Sequence, residues 1–147
     1  MSVPAANTPL ITTPATGALA PIAAWTHTLL RVGAGLLFMQ HGLQKLFGWF
    51  GGIGGSGGTV TLMSQMGLAG VLETFGGLLL VLGLLTRPVA LLLAGEMLVA
   101  FFQAHFPRGP VPITNGGELP LLFMLTFLFL AGNGAGPISL DARRRRL

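Results

Sequence analysis

Apolar residues fill four long blocks of this chain, over 22–47, 67–85, 88–106 and 117–133. Polar residues are confined to the breaks between the blocks and to a few isolated positions inside them. An α-helix needs roughly 20 residues to cross a bilayer, so the first three blocks predict spanning helices and the fourth predicts a shorter one. Gly48-Trp49-Phe50 and the glycine-rich run 51–58 close the first block, and the aromatics suit a membrane interface. That run lacks the Lys-Ser/Thr of a phosphate loop and follows no strand, so it predicts a flexible linker. Thr86-Arg87-Pro88 forms a short turn between the second and third blocks, with proline at a helix start where its missing N–H costs nothing. Pro120 fits the first turn of the fourth block, and 134–141 ends it. No block shows the strict alternation of a membrane barrel, and in lipid a helix satisfies its own backbone. The pattern predicts an all-α integral membrane protein, a four-helix up-down bundle.

Composition agrees with that picture. Of 147 residues, 52% are hydrophobic and only 8% charged, where soluble domains carry about a quarter. Too few polar groups exist to cover a water-exposed surface, so most of the surface faces lipid. The net charge of +4 does not describe a nucleic-acid binder. Arg143, Arg144, Arg145 and Arg146 form a terminal cluster, and Arg31, Lys45, Arg87 and Arg108 are scattered. No nucleic-acid partner is expected; the expected partners are the bilayer and other membrane subunits. Positive charge marks the cytoplasmic side, which places both termini inside, with Lys45 and Arg108 opposing weakly from the outer side. Residues 1–21 have no basic residue, do not read as a signal peptide and predict a flexible tail. The expected organisation is that tail, a membrane domain over 22–141, and a basic cytoplasmic end over 142–147. Cysteine is absent, so the chain performs no dithiol chemistry and ligates no iron–sulfur cluster.

Candidate chemistry resides in the ionisable residues within the blocks. Each costs about 2.5–3.5 kcal/mol at the centre of an inserted helix and therefore needs a partner or a wet cavity. Arg31, Gly35, Phe38, Gly42 and Lys45 recur at helical spacing and form one stripe, with His41 beside it. Gly35 and Gly42 on that stripe predict a closely approaching neighbour. With alternating spans, Arg31 and Glu96 fall at similar depth and predict a buried ion pair; backbone carbonyls or another helix are the alternative partners for Arg31. A second polar group is expected near the outer surface from His41, Lys45, Glu73, Gln103, His105, Asn115 and Glu118. His105 lies half a turn from Glu96 and joins only if the third helix loosens near Pro107. Glu73 and Glu118 near helix starts equally fit a structural role, complementing the helix dipole and pairing with Lys45. His41 fits either a packing residue or a proton carrier, since imidazole changes charge near neutral pH. His41, His105 and Glu118 match no metal-ligand spacing, and a His41–His105 haem would need both rings turned inward, so neither metal nor haem is assigned. The cofactor is undetermined, with a quinone compatible.

With those residues laid out, the run from Arg31 through Phe38, His41, Gly42 and Lys45 resembles the first-helix signature of the DoxX family. Glu73-Thr-Phe-Gly76-Gly77 through Gly83 and Thr86-Arg87-Pro88 is similar to its second. The resemblance continues through Glu96, His105, Asn115-Gly116-Gly117-Glu118 and Gly136-Pro137-Ile-Ser139-Leu140-Asp141. It implies a multi-pass four-helix protein of the bacterial cytoplasmic (inner) membrane. DoxD proteins of that group are subunits of a thiosulfate:quinone oxidoreductase, which points to redox chemistry without fixing an activity. The leading expectation is a redox-associated subunit that binds a quinone-like molecule or relays protons through the polar residues named above. The alternatives are a structural or accessory subunit of a larger respiratory or photosynthetic complex, and a small transporter. Any electrons would come from a partner or bound cofactor, because the sequence carries no redox centre.

Overall fold

The structure, a computed structural model, describes residues 20–144. Most of the expected N-terminal tail and the last two arginines of the basic run lie outside those residues. Four main helices are present: α1 (Ala20–Phe47), α2 (Gln65–Leu82), α3 (Thr86–Arg108) and α4 (Glu118–Asn133). A short α5 (Leu140–Arg144) follows. Helices α1, α2 and α3 are long and apolar enough to cross a membrane, while α4 is equally apolar but has 16 residues. No strand occurs among the described residues, beyond one isolated bridge between Ile53 and Gly58.

Local chemistry explains where the helices start and stop. The Ser64 hydroxyl accepts from the Gly67 amide at 3.0 Å and caps α2. Gly83, at φ 65°, ends α2 in the left-handed conformation that glycine adopts without a Cβ penalty. Two residues on, Leu85 adopts φ 51° to start α3 abruptly. The glycine run is folded rather than open: Ile53 N–H donates to Gly58 and Gly57 N–H to Gly51, each at 2.8 Å. Val60 N–H then donates to the Lys45 carbonyl at 3.0 Å, tying this hairpin to the end of α1.

Helix α1 packs along α2, and α3 along α4. The α1–α2 seam is made by glycines at matching spacing. A Cβ on Gly35 would meet the Gly77 carbonyl at 2.8 Å, one on Gly77 would meet the Gly35 carbonyl at 2.7 Å, and one on Gly42 would meet the Gly70 carbonyl at 2.6 Å. Backbones therefore touch directly, and the pairing order makes the two helices antiparallel. The close approach expected from Gly35 and Gly42 is present. Phe38, Leu80, Leu93, Phe127 and Leu130 are fully buried and join the four helices in one core.

Both α2 and α3 contain one π-helical turn, at Leu72–Gly76 and Phe101–His105. Such turns interrupt regular winding and recur at functional sites. Each here brings a polar residue to a common cleft.

Candidate functional site

The cleft has a volume of about 790 Å³ and lies between α1, α2, α3 and the start of α4. Its walls are mostly apolar, formed by Phe38, Leu72, Met97, Ala100, Pro120 and Phe123. Into these walls His41, Lys45, Glu73, Glu96, Gln103 and His105 project from three helices. Leu68, Leu91, Leu92 and Val99 stand at its mouth and are exposed on the outer faces of α2 and α3. The cleft therefore opens sideways between those helices.

Glu73 and Lys45 form the electrostatic centre. Lys45 Nζ donates to Glu73 Oε1 in an ion pair whose side chains are only 3% (Glu73) and 15% (Lys45) exposed. The other oxygen, Glu73 Oε2, is buried and makes no hydrogen bond to the protein, and the same holds for both Glu96 oxygens. Glu96 lies within electrostatic range of both Glu73 and Lys45. Thr74, next to Glu73 in the π turn, donates to the Gly70 carbonyl at 2.7 Å, which helps to bend the backbone locally.

At one end of the cleft, near the start of α2, the amides of Gln65 and Gln103 are hydrogen-bonded. His105 reaches the cleft because the π turn before it winds each following side chain back by part of a turn. The loosening that its participation required is therefore present, immediately before Pro107. Its Nδ1 lies 3.2 Å from the Asn115 carbonyl, and its ring stacks on Phe101. His41 packs its ring edge-to-face on Phe123, with centroids 6.1 Å apart. It also lines a smaller groove of about 270 Å³ with Gln40, Gln44 and Phe50, so it stands in the wall between two cavities.

Arg31 corrects the sequence expectation. It does not pair with Glu96 and does not line the cleft. Its guanidinium is buried and donates to four backbone carbonyls: Nη1 to Leu80 and to Val81 at 2.8 Å, Nε to Ala135 at 2.9 Å, and Nη2 to Ile138 at 2.7 Å. Leu80 and Val81 belong to the last turn of α2, where carbonyls carry the negative end of its dipole and run short of helical donors; the Leu80 carbonyl also accepts from the Gly83 amide at 3.0 Å. Equal depth along two helices did not imply contact, because the chain after α4 folds under the bundle and reaches Arg31 first. Its fork of donors suits such a cluster of acceptors.

Two other candidates also stand apart. Asn115 is buried in the α3–α4 connection, where Nδ2 donates to Gly109 at 2.6 Å and Oδ1 accepts from the Gly117 amide at 2.7 Å, so it organises the loop. Glu118 is exposed at the start of α4, and the expected Lys45 pairing falls to Glu73 alone. Among the described residues no group of three His, Asp or Glu side chains converges as a metal site.

Sequence reasoning missed Asp141 as a clamp. Its carboxylate accepts from the Leu85 and Thr86 amides, both at 2.9 Å, while its own amide donates to the Gly83 carbonyl at 2.9 Å. A carboxylate at a helix start offsets the unpaired amides there, which favours the strained turn at Leu85. Gln65 was missed too; only its position one residue after a helix-capping serine placed it at the rim.

The DoxX profile matches residues 26–106, which hold both members of the Lys45–Glu73 pair and Glu96. The chain belongs to the DoxX family. As a DoxX protein it is a membrane protein, in accord with its apolar helices. An uncharacterised Haemophilus influenzae protein is 40% identical over 119 residues, covering 76% of this chain and 85% of that relative. A Bacillus subtilis protein named "Putative oxidoreductase CatD" is 35% identical over 114 residues, covering 77% of this DoxX chain and 82% of its own. No solved structure matches the chain significantly.

Proposed function

We propose that this DoxX protein is a redox-associated subunit of the bacterial inner membrane that binds a quinone-like amphiphile in the α1–α3 cleft and exchanges protons there. The observation that carries this reading is an ion-paired Glu73, with Glu96 nearby, projecting into an otherwise apolar cleft. An apolar cavity with a few convergent polar groups is the usual form of a small-molecule site. Its sideways opening between α2 and α3 suits entry from the hydrocarbon phase. The ligand's ring would lie against Phe38 and Phe123, and its oxygens near Lys45 and Glu73. His41, between the cleft and the smaller groove, is placed to pass protons outward. The oxidoreductase name of the Bacillus subtilis relative supports the redox association. Electrons would be exchanged with a partner subunit, since the chain contributes no redox centre of its own.

In this reading α1 to α4 all cross the membrane as an up-down bundle with both termini cytoplasmic. The test is equilibrium titration of the purified protein in lipid nanodiscs with decylubiquinone and decylubiquinol. Saturable binding is expected, and that of decylubiquinol should weaken in His41→Ala and in Glu73→Gln. Absence of saturable binding by both compounds, or binding indifferent to both substitutions, removes the proposal.

A further inference from the structure

The polar atoms of the cleft discriminate between the two redox forms of such a ligand. This inference rests on the proposed quinone-like site and specifies which form it holds. Glu73 is 3% exposed, and its Oε1 is occupied by the Lys45 ammonium. As the anion of an ion pair it can only accept hydrogen bonds, and Oε2 accepts none from the protein. Lys45 is the converse: an ammonium has three donors, and one is committed to Glu73. A ligand oxygen reaching this pair therefore meets an acceptor and a donor side by side. A hydroxyl satisfies both, donating to Glu73 Oε2 and accepting from Lys45. A carbonyl accepts from Lys45 only, and it leaves the buried carboxylate oxygen facing another acceptor. Glu96, on the facing helix, adds two further oxygens without a protein donor, within electrostatic range of the pair.

We propose that the cleft selects the reduced, dihydroxy form: a quinol, held by hydroxyl donation to Glu73 Oε2, in preference to the quinone. An unmatched buried acceptor of this kind costs about 1–3 kcal/mol, which corresponds to a preference of roughly 5- to 150-fold. The lipid-exposed mouth formed by Leu68, Leu91, Leu92 and Val99 would accept the ligand's apolar tail.

Three compounds of nearly equal size separate the possibilities in anaerobic nanodiscs: decylubiquinol, decylubiquinone, and the di-O-methyl ether of the quinol. The ether keeps the ring and tail and loses both donors. The quinol should bind at least ~5-fold more tightly than either of the others. In Glu73→Gln that preference should fall to near unity, with quinone affinity kept or improved, because the amide can donate. Glu96→Gln preserves the Lys45–Glu73 pair and should retain a quinol preference, which guards against loss of folding in the first variant. Equal affinity of wild-type protein for quinol and ether, or tighter binding of the quinone, overturns this inference and leaves the proposed function standing. Failure of all three compounds to bind overturns both.

Discussion

Two cations of α1, Arg31 near its middle and Lys45 in its last turn, do different work, and the difference lies in what surrounds them. Arg31 is enclosed by four carbonyls and no carboxylate of the cleft, so it acts as a structural knot joining α1, the end of α2 and the segment after α4. Arg31→Leu would strip the Val81, Ala135 and Ile138 carbonyls of this donor, the Leu80 carbonyl keeping the Gly83 amide, and should cost about 1–3 kcal/mol or more. Arg31→Lys should recover only part of this, because one ammonium cannot fork to four carbonyls spread over two segments. Thermal unfolding in detergent reads both; a neutral Arg31→Leu would contradict the assigned role. Lys45 instead has a single carboxylate partner, so its energetics should be pairwise. Lys45→Met and Glu73→Leu should each destabilise by about 3–5 kcal/mol, and the double variant by less than either alone. A strictly additive double variant would mean that the pair contributes no coupling. At this scale the sequence was partly legible. It singled out Lys45, Glu73 and Glu96 as inward-facing because a charge in a membrane helix needs a partner. For Arg31 the expected Glu96 pair failed and the stated alternative, backbone carbonyls, holds; the residue alphabet could not choose between them, because backbone carries no signature in it.

At the scale of elements, α1 and α2 can approach because glycine meets glycine twice, and the positions left without side chains are not equivalent. Gly42 faces the Gly70 carbonyl and the Thr74 backbone, whereas nothing lies within 4 Å of a Cβ placed on Gly33. Gly42→Val should therefore force the helices apart, costing about 1–3 kcal/mol or more, and open the cleft that the α1–α2 contact positions. Gly33→Ala should be neutral or stabilising, since it removes only the flexibility of glycine in a helix. Comparing the two by thermal unfolding separates close packing from helix propensity; equal effects would refute the seam. The short connection between α2 and α3 depends on a residue from another part of the chain. Asp141→Ala removes both acceptors for the Leu85 and Thr86 amides and should cost about 1–2 kcal/mol. The spans themselves were readable from apolar run length to within a few residues. The π turns were not, since a one-residue change in winding leaves no trace in hydropathy; only the misfit of His105 with the face of Glu96 hinted that α3 departs from regular geometry.

For the molecule as a whole, the two ends of the helices differ in chemistry, and this difference predicts orientation. One end gathers Arg31, the Asp141 clamp, and Arg87, whose Nη1 donates to the Ala131 and Gly132 carbonyls at the close of α4. Arg143 and Arg144 form the last turn of α5 at that end. The opposite end holds the rim residues Gln65, Gln103 and His105 and the glycine hairpin joined to Lys45. Positively charged flanks are retained on the cytoplasmic side, so the arginine end should be inside and the cleft should lie toward the outer leaflet. Glu73 is eight residues into α2, about 12 Å along the helix from its outer end. In the proposed reading, a proton taken up at Glu73 would have the shorter route to the outer surface, past His41 and the smaller groove that it lines. Single cysteines placed at Gly55 in the hairpin and at Ala142 beyond the clamp test this arrangement in a chain that has no native thiol. In intact cells, a membrane-impermeant maleimide should label Gly55→Cys and spare Ala142→Cys until the membrane is opened. Labelling of Ala142→Cys alone would invert the protein and direct proton exchange at Glu73 to the cytoplasm. Labelling of both from outside would mean that α4, with its 16 residues, does not complete a fourth crossing.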